Sequence, residues 1–460
     1  MPAQIPLTFQ QQWLWALIQR HSDWRCILTY VLRLSGTLNP EVLQISLEEV
    51  IRRHGALRTR IVLVDGCAMQ EIDEPYAYRL NIVPVSGASK DEIDANSRRA
   101  LEEFSDRKIN LAGESLSNFG LFRQGERQHL LVLTVHRLIS DCVSVDLLLR
   151  EIWLLYEKFT RGGSPSGATV PSQYSDYAMW QHQTYPQWLT KHLAYWKERL
   201  TEARPMRWPL LRGVAAAKPR RGAIGRMKCL FGAELSAELR EAAQRTRSLA
   251  AMFMLTIYVA VLSRWCSQND FLVPFNVAGR QSEHKSVIGY FSHILYLRLR
   301  LTGNETFLQL LSLVSNEFFR ALAHQDFGTM ATRYPETSAG TFFQWISWHK
   351  ADVSGSSARD AAQTGELTAE RFPFREFGEG LTAMPPGMVD VEVTFFDTDE
   401  GIYALGVYRA DLFEAETMER LTQDLRLAAE EFVRNKHAPV TLRDPKFGAH
   451  LEATVGSLGS

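Results

Sequence analysis

At 460 residues the chain is long enough for two or more domains with large buried cores. Its 45% apolar and 22% charged composition is that of a globular protein, and a net charge of −1 gives no global field for nucleic acid or an anionic membrane. The five cysteines (Cys26, Cys67, Cys142, Cys229 and Cys266) are scattered and odd in number, with no C-x-x-C pair. This argues against a disulfide framework or a zinc site and for a reducing, cytoplasmic setting.

The N-terminus, MPAQIPLTFQQQ, shows no basic stretch followed by an apolar one, so no signal peptide is expected. A first helix follows in TFQQQWLWALIQR, where Thr8 and Gln11 have capping-box spacing and Phe9, Trp13 and Leu17 form an apolar stripe. The run CILTYVLRLSG reads as a strand. In NPEVLQISLEEVIRRHG, Asn39 suits an N-cap, Pro40 the first helical position and Gly55 the end, with Leu43, Leu47 and Ile51 spaced four apart. LRTRIVLV is a further strand. HLLVL then leads into TVHRLISDC, residues 134–142, and an apolar helix, VSVDLLLREIWLLY. Strand, helix and strand alternate in this way along an α/β layer architecture.

The stretch 161–172 is a loop by composition. A helix pair, QYSDYAMWQHQ and YPQWLTKHLAYWKERL, comes next. A lobe boundary is placed here, giving 1–175 and 176–450 with a tail at 451–460. The second half carries an apolar helix at 250–265, too short to span a bilayer comfortably and better suited to a buried core. It also carries the strand FLVPFNVAG and the amphipathic helices NETFLQLLSLVSNEFFRAL and EAETMERLTQDLRLAAEEFVRN. RPMRWPLLRGVAAAKPRRG and ADVSGSSARDAAQTGE are expected loops, and no short-period repeat is present.

The short loop 134–142 resembles the H-H-x-x-x-D-G signature of nonribosomal peptide synthetase condensation domains and related acyltransferases. Its neighbours resemble other motifs of that family in the same order: PLTFQQQWLW, RRHGALRTRI, VAGR ending at Arg280, IGYFSHILYLRLRL, AHQDF and YRADLF. The resemblance implies two chloramphenicol-acetyltransferase-like α/β lobes forming a V-shaped pseudo-dimer, with the loop at the floor of a central tunnel. It also implies substrates carried on the phosphopantetheine of carrier proteins or on coenzyme A, with no covalently bound cofactor and no metal. In typical members the second histidine assists attack of an amine or hydroxyl on a thioester. The aspartate is structural and pairs with the arginine of the later motif, which sets Asp141 opposite Arg280.

Position by position, His136 is the first histidine, expected to be structural. Arg137 stands where the active histidine belongs, Asp141 is retained, and Cys142 replaces the glycine. A guanidinium, with a pKa above about 12, cannot accept a proton near neutral pH, whereas an imidazole near about 6.5 can. Arg137 can still stabilise an oxyanion or bind a phosphate, or it can compete with Arg280 for Asp141. Cys142 adds a side chain that can narrow the tunnel, change the backbone angles or, as the sharper reading, act as a nucleophile. Ser140 and His293 are further tunnel candidates, and His293, where the family has asparagine, is a candidate substitute base. The H-R form is partly similar to the X-domains of glycopeptide synthetases, which recruit enzymes instead of forming peptide bonds.

Two functions follow from the resemblance. One is a free-standing or excised condensation-type acyltransferase making an amide or ester, with Arg137 orienting or polarising. The other is a catalytically inactive platform. Either would work as a monomer with acyl and peptidyl carrier proteins, neighbouring synthetase modules or tailoring enzymes, and with neither nucleic acid nor a membrane.

Overall fold

Thr8 closes the N-terminus of the first helix, α1 (Phe9–Arg20), through a full capping box with Gln11. Asn39 does the same for α2 (Pro40–Arg53), where its Oδ1 accepts from the backbone of Glu41 and Val42. Both ends follow the sequence signals because a side-chain acceptor placed before a helix satisfies donors that the helix itself leaves open. The structure, a computed structural model, describes residues 4–22, 24–164, 172–204, 206–208, 224–325, 340–348, 367–372, 384–385, 388–437 and 440.

The chain divides into two units whose segments interleave. The first holds Met1–Trp188, Ala278–Ser292 and Lys350–Leu381; the second holds Leu189–Val277, His293–His349 and Thr382–Ser460. The first break therefore falls after Trp188 and not at 175, and the chain returns twice to the first unit. The expected 451–460 tail and most of the expected loops at 161–172, 204–222 and 351–366 lie outside the described residues.

The first unit is built on β1 (Gln4–Pro6), β2 (Ile27–Ser35), β3 (Thr59–Val64), β4 (Cys67–Ile72), β5 (Asn81–Pro84), β6 (Ser117–Arg123) and β7 (Gln128–His136). Its other helices are α3 (Lys90–Ser105), α4 (Cys142–Thr160) and the start of α5 (Tyr174–Leu200). One sheet has the order β12-β2-β7-β6-β5, with β12 (Thr368–Arg371) supplied by a later return of the chain; a small sheet has the order β1-β4-β3. Alternation along β7 puts Leu130, Val132, Thr134 and His136 on one face of the larger sheet. Register adds Ile27 opposite His136 and Asn118 opposite Thr134 to that face. Leu130 and Val132 pack with Val31 and Phe122 of the sheet and Leu101 of α3, against Phe104. Gly120 makes the approach of α3 possible, since a Cβ there would stand 2.9 Å from the Phe104 ring.

The sequence suggests a helix pair at 173–200, but α5 is one helix of 27 residues with Pro186 inside it. Proline removes one backbone donor and disfavours the helix locally. Tertiary bonds hold the segment before it. Phe9 N–H donates to Gln181 Oε1 at 2.8 Å, Gln10 Nε2 to Tyr177 Oη at 3.1 Å, and His182 Nε2 contacts the Leu7 carbonyl at 2.8 Å.

The second unit carries β8 (Ile224–Gly232), β9 (Asp270–Val277), β10 (His293–Arg300), β11 (Thr341–Trp348), β13 (Val391–Thr398) and β14 (Gly401–Arg409) in a sheet of order β10-β9-β11-β13-β14-β8. β11 runs parallel to β9 and β13, and the other pairs are antiparallel. Its helices are α6 (Ala233–Arg245), α7 (Ala250–Cys266), α8 (Phe307–Leu322) and α9 (Ala415–Arg434). α7 is buried continuously from Met252 to Ser263, as its all-round apolar sequence requires. Among the described residues no single helix is long and apolar enough to cross a membrane.

Helix α4, which leaves the motif loop, is anchored to α2 by charge. Glu151 Oε2 lies 2.6 Å from His54 Nε2, and Glu151 Oε1 lies 2.6 Å from Arg53 Nη1. Burial pushes the Glu151 pKa up, but the hydrogen bond and charge of His54 and the charge of Arg53 together outweigh it, so the carboxyl titrates below its ordinary value. A depressed carboxyl stabilises the fold above its unfolded pKa of about 4.3 and loses that contribution as pH falls through the folded value. Glu151→Gln should therefore cost about 2 kcal/mol at neutral pH by urea unfolding. The gap to the wild-type chain should close between about pH 5 and pH 3.

Candidate active site

The loop between β7 and α4 is organised by one carboxylate. Asp141 is the N-cap of α4, and its Oδ1 accepts from Ser144 N–H at 2.7 Å. The same oxygen accepts from Arg280 Nη2 at 2.8 Å, and Oδ2 accepts from Phe291 N–H at 3.0 Å. Both partners of the ion pair are deeply buried, with side chains 6% exposed at Arg280 and 3% at Asp141. Arg280 is itself held in place. Its Nη1 donates to the carbonyls of His284 and Val287 at 3.1 and 2.5 Å, and its guanidinium lies 4.4 Å from the centre of the Phe291 ring.

Ser144 joins these groups. Its Oγ accepts from Arg280 Nη2 at 2.6 Å and from Gly289 N–H at 3.0 Å, and donates to the Gly289 carbonyl at 2.7 Å. Glycine is required at 289, because a Cβ would meet the Tyr174 ring at 2.0 Å. Gly279, in the left-handed region at φ 64°, turns the chain just before Arg280. From α1, Gln11 Nε2 donates to the Leu138 carbonyl at 2.7 Å and to Gln70 Oε1 at 3.1 Å, which fixes the loop from its other side.

His136 ends β7 and is 4% exposed. Its Nδ1 accepts from Leu138 N–H at 3.2 Å, so the ring proton resides on Nε2. Burial, reinforced by the Arg137 cation, pushes its pKa down to about 3. Arg137 itself opens a short 3₁₀ turn, with its N–H on the Cys26 carbonyl at 2.9 Å and its side chain half-buried. Its charge is felt by Cys26, His136, Cys142 and Tyr290. Asp141 accepts from Arg280 and from the backbone N–H groups of Ser144 and Phe291.

Cys142 occupies the first position of α4 with no left-handed backbone angle, so the change from glycine brings no strain there. Burial raises its thiol pKa, only partly offset by a hydrogen bond to Tyr30 and the Arg137 charge. That is the opposite of what a nucleophilic cysteine needs. Ser140 is fully buried, and among the described residues its hydroxyl makes a long 3.4 Å contact to the Asp141 carbonyl. His293 starts β10 in the second unit, opposite Val277, with its side chain buried. Among the described residues no cluster of three or more His, Cys, Asp or Glu is placed to hold a metal ion.

The condensation-domain family profile matches residues 2–443. The chain belongs to the condensation-domain family. This condensation domain is 30% identical over 92% of its length to a linear gramicidin synthase of Brevibacillus parabrevis, of which it covers 8%. It is 27% identical over 89% of its length to a surfactin synthase of Bacillus subtilis, covering 11% of that chain. The domain therefore spans only a small part of the curated synthetases it matches. Among solved structures, it superposes on the X-domain from teicoplanin biosynthesis with a TM-score of 0.77 at 23% identity, covering 96% of this chain and 98% of that one. The condensation domain of a monacolin K polyketide synthase gives a TM-score of 0.78 at 17% identity, covering 95% and 99%. The fold is the mixed α/β, chloramphenicol-acetyltransferase-like fold of condensation domains.

Sequence reasoning misses Ser144, Gly289 and Gln11 as supports of the loop. Ser144 carries a readable signal, since it lies three residues after a helix-capping aspartate; the roles of Gly289 and Gln11 depend on contacts that are remote in sequence.

Asp141→Ala leaves the Arg280 charge buried and removes the cap of α4, so it should cost about 3–5 kcal/mol in urea unfolding; Cys142→Gly should stay within about 1 kcal/mol of the wild-type chain. In nitrogen NMR at pH 5, His136 should keep the signature of the neutral Nε2–H tautomer, and a doubly protonated ring would contradict the assignment.

Proposed function

We propose that this condensation domain is a binding platform for carrier proteins. In this reading it engages acyl or peptidyl groups presented on phosphopantetheine, or recruits a tailoring enzyme, without base-assisted amide or ester formation. The observation that carries it is that the motif loop holds no side chain able to accept a proton near neutral pH. Arg137 stays charged, His136 has its Nδ1 engaged with its pKa pushed down to about 3, and the Cys142 thiol is raised by burial. The Asp141 network keeps the loop in shape around this deficit. A complex of the X-domain with OxyB from teicoplanin biosynthesis, 22% identical to this chain, gives an example of a partner enzyme held on such a fold.

A second reading, condensation-type acyl transfer, is favoured by the half-buried side chain of Arg137 at the active position. There a guanidinium would stabilise the oxyanion formed when an acceptor attacks a thioester carbonyl, while the acceptor arrives already neutral. His136, Asp141 and Arg280 would be positioning residues in either case.

The two readings separate on one experiment. An acyl-loaded carrier protein is titrated against the domain by calorimetry and then incubated with amine and hydroxyl acceptors, with loss of the acyl group followed by intact-protein mass spectrometry. The platform reading expects measurable carrier binding with no acceptor-dependent loss, and a gain of transfer in Arg137→His. Acceptor-dependent loss by the unaltered chain, weakened in Arg137→Ala, would replace it with the acyltransferase.

A further inference from the structure

The sheet face that carries His136 is not covered to its end. α3 lies on it as far as Phe104 and Ser105, and beyond that point a cavity of about 500 Å³ opens. Its floor is formed by Ile27, Asn118 and Thr134, which register places beside His136 on the same face. Tyr76, Tyr78 and Ile109 complete apolar walls. All these residues belong to the first unit. The volume is that of an ordinary small-molecule site.

Three polar groups of the lining have no protein partner among the described residues. Ser105 is 3% exposed, and its hydroxyl makes no hydrogen bond. Buried hydroxyls are rarely left so, because the unmade bond is costly. Asn118 accepts from the Tyr78 hydroxyl through Oδ1 at 3.1 Å, which leaves its amide nitrogen as a donor. The Thr134 hydroxyl likewise has no hydrogen bond to a described residue. The Tyr78 hydroxyl accepts from Phe119 N–H at 2.8 Å, and its one proton is shared between Asn118 Oδ1 and the Phe119 carbonyl at 3.0 Å.

The lining also carries charges, most of them paired. Arg58 is held by the carbonyls of Ile51, Arg52 and Asp73. Arg60 bonds Asp73 and Glu71, and Arg107 bonds Glu114, so a charged ligand would have to compete with those pairs. A neutral one meets apolar walls and three groups able to donate.

We propose that this cavity is a binding site for a small neutral molecule with an aromatic or branched apolar body and a carbonyl acceptor, its acceptor received by Ser105, Asn118 and Thr134. Arg137 is not among its lining residues, and the proposal does not depend on whether the domain transfers acyl groups.

The test uses the full chain with isoleucine methyl groups labelled for NMR, and benzamide as probe beside benzoate and toluene. Benzamide should shift the Ile27 and Ile109 methyl signals saturably at millimolar concentration, more tightly than the anion or the hydrocarbon. Thr134→Val should weaken it roughly five- to tenfold while the remaining spectrum is retained, and Ser105→Phe should abolish the shifts by filling the space. No saturable shift at these two residues, equal or tighter binding of benzoate or toluene, or unchanged benzamide affinity in Thr134→Val would overturn the proposal; the last of these decides even if Ser105→Phe fails to fold.

Discussion

A buried carboxylate needs hydrogen-bond donors and a counter-charge, and Asp141 has both. It caps α4, pairs with Arg280 and receives the Phe291 N–H. These three demands come from three directions, so the loop has little freedom once they are met. These bonds run through Asp141 and its partners, next to the position where the resembled motif has a histidine and this chain has Arg137.

The exchange changes the electrostatics. A fixed cation now stands among Cys26, His136, Cys142 and Tyr290, all of which titrate under its influence. The buried cysteines and tyrosine remain protonated because burial dominates, and His136 remains neutral because burial and the cation act in the same direction. The proposed platform reading rests on this electrostatic change: the proton-accepting group that base assistance needs is not among the loop's neutral side chains.

Signals in the sequence are legible where their cause is local. Thr8 with Gln11 and Asn39 with Pro40 mark helix starts because their effect is confined to the first turn. The apolar run that forms α7 is buried all round, as its composition requires. The family motifs point to the partnership of Asp141 with Arg280, and in the structure the two side chains meet at 2.8 Å. Features governed by distant contacts are not legible. Pro186 reads as a break until Gln181, Tyr177 and His182 are seen clamped to the segment around α1. The interleaving of the two units leaves no trace in composition. The cavity beyond α3 is the space where a helix ends, and neither spacing nor residue type records it.

The interleaved chain also imposes an order on assembly. Asp141 lies 139 residues before Arg280 and 150 before Phe291, so its carboxylate waits for both while the intervening strands are being made. Long-range closure of this kind is slow, since loop entropy is lost before the contact repays it. In a chain growing from its N-terminus, the local cap on Ser144 N–H is available early, whereas the Arg280 and Phe291 partners of the same carboxylate arrive only with residues 280 and 291.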